Sequence, residues 1–432
     1  MKSRRFWPLG LAAIVLAATS WTARAGAAPA EPATPPAVPP SAQGAVAGWS
    51  EFVESLRTLP DRMLARLPEP MRNDPQIRQE VARLALEALA SQTLDAIAGD
   101  GDAPQFVPSI GQMLNVGQPN ADTIYRSANI TSGGSYRLRG QRGNVTLAII
   151  QQVLPPTDPG RGAAAQLDLT TLRVDAQDRY DVLLSPTRPD GYTGDWWELK
   201  PDATGLMIRM VSSDWSRETD PTVSIERVDK PVARPRPPAA LLEQRLRALP
   251  RKIDFIAQLF VGHVEKLRQD GFVNALKIVN PPFSTVQGQF YYEGVYDLKD
   301  DEALIVESDI PAKCAYRSLI LTNELYETTD WYNNHSSLNG AQAGPDPDGK
   351  LRIVVSARDP GVRNWLDTAG YPIGVIQGRW VGCDTQPVPT VRKVKVADVP
   401  KAMPGGVATV TPAQRQDMVR ERRRALQERP LW

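Results

Sequence analysis

Between Gln76 and Ile97 the apolar residues Ile77, Val81, Leu84, Leu89, Leu94 and Ile97 recur every three to five positions, which predicts an amphipathic helix. Shorter helical pieces precede it over residues 50–72. From Thr123 the period changes. Ser135–Arg139, Asn144–Ile150, Tyr180–Leu184, Gly205–Val211 and Thr222–Val228 are short β-branched or alternating runs separated by Gly, Pro and Asp, the pattern of antiparallel strands. Pro231, Pro235, Pro237 and Pro238 then interrupt the chain, and Ala239–Gln269 returns to helical spacing, with a break expected at Pro250. Strand patterning resumes near Phe290 and runs to about Val399. Thr411-Pro412-Ala413-Gln414 carries the N-cap, N1 proline and N3 glutamine of a final charged helix. The expected organisation is a helical region over 49–103, a first β-lobe over 104–230, and a Pro-rich hinge with helices over 231–280. A second β-lobe over 281–400 and a helical tail over 401–432 complete it.

The two β blocks are alike. In the first, Tyr180–Ser185 leads to Pro189-Asp-Gly191, Trp196-Trp197, Leu206–Arg209 and Pro221-Thr-Val223. In the second, Leu351–Ser356 leads to Asp359-Pro-Gly361, Trp365, Val375–Arg379 and Pro389-Thr-Val391. Counting Ser185, Trp197, Arg209 gives separations of 12 and 12, and Ser356, Trp365, Arg379 gives 9 and 14. Short strands in one repeated order, with Gly and Pro turns, predict a mainly β (α+β) protein. Its two jelly-roll-like β-sandwich lobes arise by duplication, with connecting and terminal helices.

Composition narrows the chemistry. Lys2, Arg4 and Arg5 precede an apolar run from Leu9 to Ala18, and Ala23-Arg24-Ala25 is a small-x-small cleavage site, so residues 1–25 read as a signal peptide of bacterial type and the product as periplasmic or secreted. The run is too short to span a bilayer, and no membrane insertion is expected after cleavage. Residues 26–48 hold six prolines between Pro29 and Pro40 and read as a flexible linker. Cleavage leaves 46 basic against 49 acidic residues, a formal charge of −3, which provides no field for nucleic acid. Two histidines and two cysteines cannot build a multi-histidine metal site or an iron–sulfur cluster, and neither a metal nor an organic cofactor is expected. His263-Val-Glu265 has no following Pro-Cys-x-x-Cys and reads as helix surface. Asp346-Pro-Asp348-Gly349 has Ala357 where a calcium loop needs glutamate. For Cys314 and Cys383 two readings stay open, a disulfide and a pair of free buried thiols.

No Gly-x-Ser-x-Gly elbow occurs. His335 with Asp330 is the nearest base–orienter pair, and a solvated loop histidine is the plainer reading. Six tryptophans in the β blocks stand beside Asp, Asn or Arg, an arrangement able to grip a ring-shaped ligand or simply to fill cores, with Arg209 and Arg379 paired to Asp195 and Asp367. The loop from Asp359 to Asp367 reads equally as a structural corner and a binding loop. Arg420-Glu-Arg-Arg-Arg424 reads as a solvated helix face.

Tyr136–Gly143, Ser212-Ser-Asp-Trp215, Asp300–Glu307, Thr329-Asp-Trp-Tyr332, Ser337-Leu-Asn339, Asp359–Gly370 and Arg379-Trp380 together resemble the family catalogued as domain of unknown function 1214, over about residues 120–430. The Asp-Pro-Gly-x-x-Asn-Trp-Leu-Asp-Thr-x-Gly stretch carries most of that resemblance. It implies a β-rich fold with jelly-roll-like lobes and supplies no catalytic residue. Relatives often have Arg near the position of His335, so a role for that histidine would not be family-wide. The expected function is binding of a small cyclic organic compound, and acid–base chemistry upon it. Asn339, Arg358, Asn364 and Trp365 would line the cleft, with His335, Asp330 or Asp359 moving the proton. The competing class is a non-catalytic structural or carbohydrate-binding module of the envelope, with the same residues as corners.

Overall fold

The computed structural model describes residues 46–155, 166–279 and 286–430. The expected signal peptide and nearly all of the Pro-rich linker lie outside the described residues. No described helix is long and apolar enough to cross a membrane.

Helices α1 (Trp49–Leu64), α2 (Glu69–Asn73) and α3 (Pro75–Ala98) come first. The start of α3 follows from its sequence: the Asp74 carboxylate accepts from the backbone N–H groups of Gln76 and Ile77, and Pro75 takes the first helical position. Ile77, Val81 and Leu84 are buried, whereas Ile97, at the end of the same stripe, is 70% exposed.

The first lobe contains β1 (Val107–Pro108), β2 (Thr123–Asn129), β3 (Tyr136–Gln141), β4 (Leu147–Val153), β5 (Gln166–Asp168), β6 (Arg179–Ser185), β7 (Asp195–Glu198), β8 (Gly205–Val211) and β9 (Ser224–Arg227). Helices α4 (Ala239–Gln258) and α5 (His263–Gln269) follow. Pro250 does not break α4. Leu249 and Ile253 on either side of it are buried with Phe52, Met63 and Val81 of α1 and α3, and this packing outweighs the one lost ladder bond. The helical run breaks instead before α5, at Gly262, whose φ of 89° is open to glycine without strain.

The second lobe contains β10 (Lys277–Val279), β11 (Gln289–Asp297), β12 (Glu302–Ser308), β13 (Cys314–Leu321), β14 (Ser337–Asn339), β15 (Leu351–Ser356), β16 (Trp365–Asp367), β17 (Ile373–Cys383) and β18 (Thr390–Lys395). This lobe begins a few residues earlier than expected, because β10 pairs with β11. Helices α6 (Val399–Ala402) and α7 (Pro412–Glu428) end the chain, α7 opening on the capping box of Thr411 and Gln414 that its sequence calls for.

Each lobe is a β-sandwich, and the two have one topology. Sheets β1-β2-β8-β4-β5 and β7-β6-β3-β9 make the first, and β10-β11-β17-β13-β14 and β16-β15-β12-β18 make the second, every strand offset by nine. The parallel pairs correspond too, β6 with β7 and β15 with β16. Alternate residues fill each core: Ile150, Leu206 and Ile208 meet Tyr136, Val182 and Leu184 in the first, while Leu319, Ile376 and Trp380 meet Leu304, Ile353 and Val355 in the second. Trp196 donates its indole N–H to Ser185 Oγ at 2.9 Å, and Trp365 does the same to Ser356 Oγ at 3.0 Å. The tryptophan equivalent to Trp365 is therefore Trp196, one position earlier than the spacing comparison suggested.

The lobes meet through the outward faces of the two five-stranded sheets, where Val211 packs with Tyr316 and Val381. Across this seam the buried Asp122 carboxylate accepts from Trp215 Nε1 at 2.8 Å, from Asn339 Nδ2 at 2.9 Å and from the Tyr316 hydroxyl. The tail then straps both lobes. Arg415, Arg422 and Arg429 recur at seven-residue spacing and are all buried. Within the run Arg420–Arg424 the solvated face holds for Arg420, Glu421, Arg423 and Arg424, and Arg422 alone departs from it by turning inward. Arg415 holds Asp359, Arg422 donates to the carbonyls of Trp331 and Ser337, and Arg429 holds Asp220 and the Asp122 carbonyl. Removing Arg429 would strand a carboxylate that is 2% exposed, so Arg429→Ala is expected to cost about 3–5 kcal/mol in urea unfolding, against about 0.5 kcal/mol or less for the exposed Arg420→Ala. Equal losses would contradict the strap.

Cys314 and Cys383 stand opposite each other on β13 and β17 and form a disulfide. Closing a loop of 69 positions stabilises the fold by roughly 4 kcal/mol in chain-entropy terms. Reduction, or the double Cys→Ser variant, should lower the unfolding midpoint accordingly; an unchanged midpoint would show that the bond adds no stability.

Candidate functional site

The residues expected to share one cleft are dispersed. His335 is 4% exposed, its ring stacked on Trp365 with centroids 6.2 Å apart and its Nδ1 bonded to the Trp365 carbonyl. It makes no hydrogen bond to Asp330, so the expected base–orienter pair does not form. Burial, and then the nearby guanidiniums of Arg422 and Arg415, hold the His335 imidazole down to a pKa of about 3. It is neutral near pH 7 and shut away from solvent. Asp359 accepts from Arg415 Nε at 2.9 Å and from Gly361 N at 2.9 Å, and Arg415 lies over the Trp365 ring. Trp365 itself is 5% exposed, whereas its neighbours Arg363 and Asn364 border a polar cavity of about 360 Å³ shared with residues 344–347 and 406–408, which none of the other expected site residues lines. Asn364 donates to the carbonyls of Gly344 and Arg352, Arg358 is exposed, and Asn339 belongs to the Asp122 cluster. The Asp359–Asp367 loop is a corner fastened to α7.

Nor do Arg209 and Arg379 pair with Asp195 and Asp367. Asp195 binds Arg173, and the two arginines face the seam between the lobes. His263 is not plain helix surface either: its Nε2 lies 2.8 Å from the buried Glu293 carboxylate. Burial pushes that carboxyl up, but bonds from His263, Tyr326 and Gln377 outweigh it and hold it below the usual glutamate range.

A cavity of about 380 Å³ opens elsewhere, among three segments remote in sequence. Residues 109–114 between β1 and β2 form one wall, the turn 331–333 a second, and the end of α7 a third. Ile110, Met113, Tyr125, Trp331, Tyr332 and Leu426 give it a mainly apolar and aromatic lining. Asp330 positions two of these walls, accepting from Gln112 Nε2 at 2.7 Å and from the backbone N–H groups of Tyr332 and Asn333. Arg422 secures the third by donating to the Trp331 carbonyl at 2.6 Å. Met113 is 80% exposed at the mouth, and Arg423 on the rim makes no hydrogen bond or ion pair among the described residues. Burial raises the Tyr332 phenol, keeping it a neutral donor. A larger depression of about 900 Å³ beside β3 and β6 is broad and walled by ion pairs such as Arg139 with Asp181 and Arg173 with Asp195.

Trp331, Tyr332 and Asp330 were visible in the sequence as an aromatic pair beside a carboxylate. Ile110, Met113 and Leu426 carry no local signal, because only the tertiary fold brings them together.

The fold is similar to that of a crystal structure of an uncharacterised protein from Burkholderia cenocepacia, with a TM-score of 0.74 and 26% identity over 82% of this chain and 98% of that one. A protein from Vibrio parahaemolyticus gives a TM-score of 0.44 at 12% identity over 73% of this chain and 98% of that one, too low to carry an argument. No family model and no curated protein matches the chain.

The depressed His335 pKa has a thermodynamic consequence. Between the ordinary value of 6.5 and about 3, the unfolded chain takes up a proton that the folded chain refuses, so stability falls as pH drops through that window. His335 contributes fully above pH 6.5 and loses up to about 5 kcal/mol by pH 3. His335→Asn should therefore narrow its stability deficit against the parent as pH is lowered from 7 to 4; a constant deficit would mean that His335 titrates normally.

Proposed function

We propose that this chain is an exported binding protein of the domain of unknown function 1214 type, which takes a small, mostly apolar ring compound into the cavity between residues 109–114 and α7. The cavity volume carries this reading: about 380 Å³ falls within the roughly 300–1,000 Å³ of small-molecule sites, with the apolar lining and few polar groups usual for them. Indole and phenol faces from Trp331, Tyr332 and Tyr125 suit a flat ring. The Tyr332 hydroxyl and Arg423 at the rim suit a single oxygen function at the mouth. A sugar would place many hydroxyls against apolar walls and lose their hydrogen bonds to water. Binding without turnover is the economical form of the proposal, since His335 is buried and neutral and Asp359 is held by Arg415.

Thermal denaturation of the full chain against fused-ring acids, sterols and hexoses tests this. Fused-ring compounds should raise the transition saturably, by mass action on the folded state, and hexoses should not. Ile110→Trp, which fills the cavity from a partly exposed position, should abolish that rise with little change in the ligand-free transition. No shift at millimolar ligand, or an undiminished shift in Ile110→Trp, would overturn the proposal.

A further inference from the structure

The seam between the lobes holds a second arrangement, which shares only Tyr125 with the cavity. Duplication puts one arginine and one tyrosine at matching places on the facing sheets. Tyr125 is the cross-strand partner of Arg209 on β2 and β8, and Tyr291 is the partner of Arg379 on β11 and β17. Each guanidinium lies over its own tyrosine, at 5.8 Å and 5.5 Å from the ring centroids. The Tyr291 phenol also feels both guanidiniums and Tyr125, so the two pairs belong to one cluster spanning the seam.

Among the described residues no carboxylate pairs with these arginines. Arg209 Nη1 donates to Gln151 Oε1 at 2.8 Å, and Arg379 Nη2 donates to Gln377 Oε1 at 2.6 Å and Gln118 Oε1 at 3.4 Å; all three acceptors are neutral amides. Neither arginine has an ion pair among the described residues. The neighbouring carboxylates are already occupied, Glu293 by His263 and Tyr326, Asp122 by Trp215, Asn339 and Tyr316. The Tyr291 phenol also bonds Arg379, but it too is neutral, and a buried guanidinium held only by neutral groups costs stability that an opposite charge would recover.

Donors are also left over. Arg379 is 4% exposed and its Nη1 has no hydrogen-bond partner; Gln118 is 7% exposed and its Nε2 has none. The two unpartnered donors belong to side chains already in contact, since Arg379 Nη2 donates to the Gln118 amide oxygen. Gln118 is held there at a φ of 56°, a left-handed conformation uncommon for a side chain of this kind and one that only surrounding contacts can maintain. Arg209, Tyr125 and Tyr291 are only partly buried, in contrast to Arg379 and Gln118.

We propose that the seam is a binding site for a small oxyanion, a carboxylate or phosphate group held between Arg209 and Arg379 and accepting from Arg379 Nη1 and Gln118 Nε2. Planar guanidiniums match both groups by two-point hydrogen bonding, and each is backed by the tyrosine ring it lies over. This site stands apart from the apolar cavity, although Tyr125 borders both.

The test is thermal denaturation and calorimetric titration of the full chain with benzoate, succinate and inorganic phosphate, using benzamide and sodium chloride at matched ionic strength as controls. At least one oxyanion should stabilise saturably where benzamide and chloride do not, and the preferred probe separates a carboxylate from a phosphate ligand. Arg379→Met and Arg209→Met should each weaken binding at least tenfold, while the ligand-free transition of Arg379→Met stays level or rises because an uncompensated charge is gone. Gln118→Leu provides a milder variant should an arginine variant not fold. Ile110→Trp should leave oxyanion binding unchanged. No oxyanion effect beyond that of chloride, or full binding retained in the folded variants, would overturn the proposal.

Discussion

A buried carboxylate dictates how the halves of this molecule fit. Asp122 is 1% exposed, and burial raises its pKa against the opposing pull of Tyr316, Asn339, Arg422 and Trp215. Left without donors, a group so placed would destabilise the fold by several kcal/mol. Its donors come from separate parts of the chain: Trp215 follows the last long strand of the first lobe, Tyr316 and Asn339 belong to the second, and the Asp122 backbone carbonyl takes Arg429 of the tail. Satisfying one side chain therefore sets lobe against lobe and tail against both. The segment entering Asp122 includes Gln118 of the arginine cluster and the 109–114 wall of the cavity, so both proposed sites inherit this placement.

The two lobes share one strand order and differ in their local chemistry. Ser185 with Trp196 and Ser356 with Trp365 make the same buried hydrogen bond, and in both lobes the serine hydroxyl donates to the carbonyl two residues on. The arginine–tyrosine pairs persist as well. What differs is local chemistry around them: His263, Glu293 and Tyr326 belong to the second lobe's side alone, while the helical bundle packs against Val116 of the first lobe and Leu325 of the second.

Features set by neighbouring residues were legible in the sequence. The Thr411 cap, the strand blocks and their recurring order depend on short-range geometry and period, and the structure contains them. Long-range features were not. Arg415, Arg422 and Arg429 carry the polarity of surface residues, and only their seven-residue spacing marked a single helical stripe. For His335 the sequence leaves a base beside Asp330 or a solvated loop histidine, because it shows no burial; burial and then two guanidiniums lower its proton affinity. The cavity draws on residues near 110, 331 and 426, and no local pattern joins positions so far apart.

Hydrogen–deuterium exchange of the full chain with and without a saturating fused-ring acid locates the apolar site most directly. Slowed exchange should concentrate in residues 109–125, 330–333 and 423–429, the walls of the cavity and the strand leading from Asp122. Protection confined to the 359–367 corner, or to the groove beside β3 and β6, would contradict a binding site between that loop and the tail.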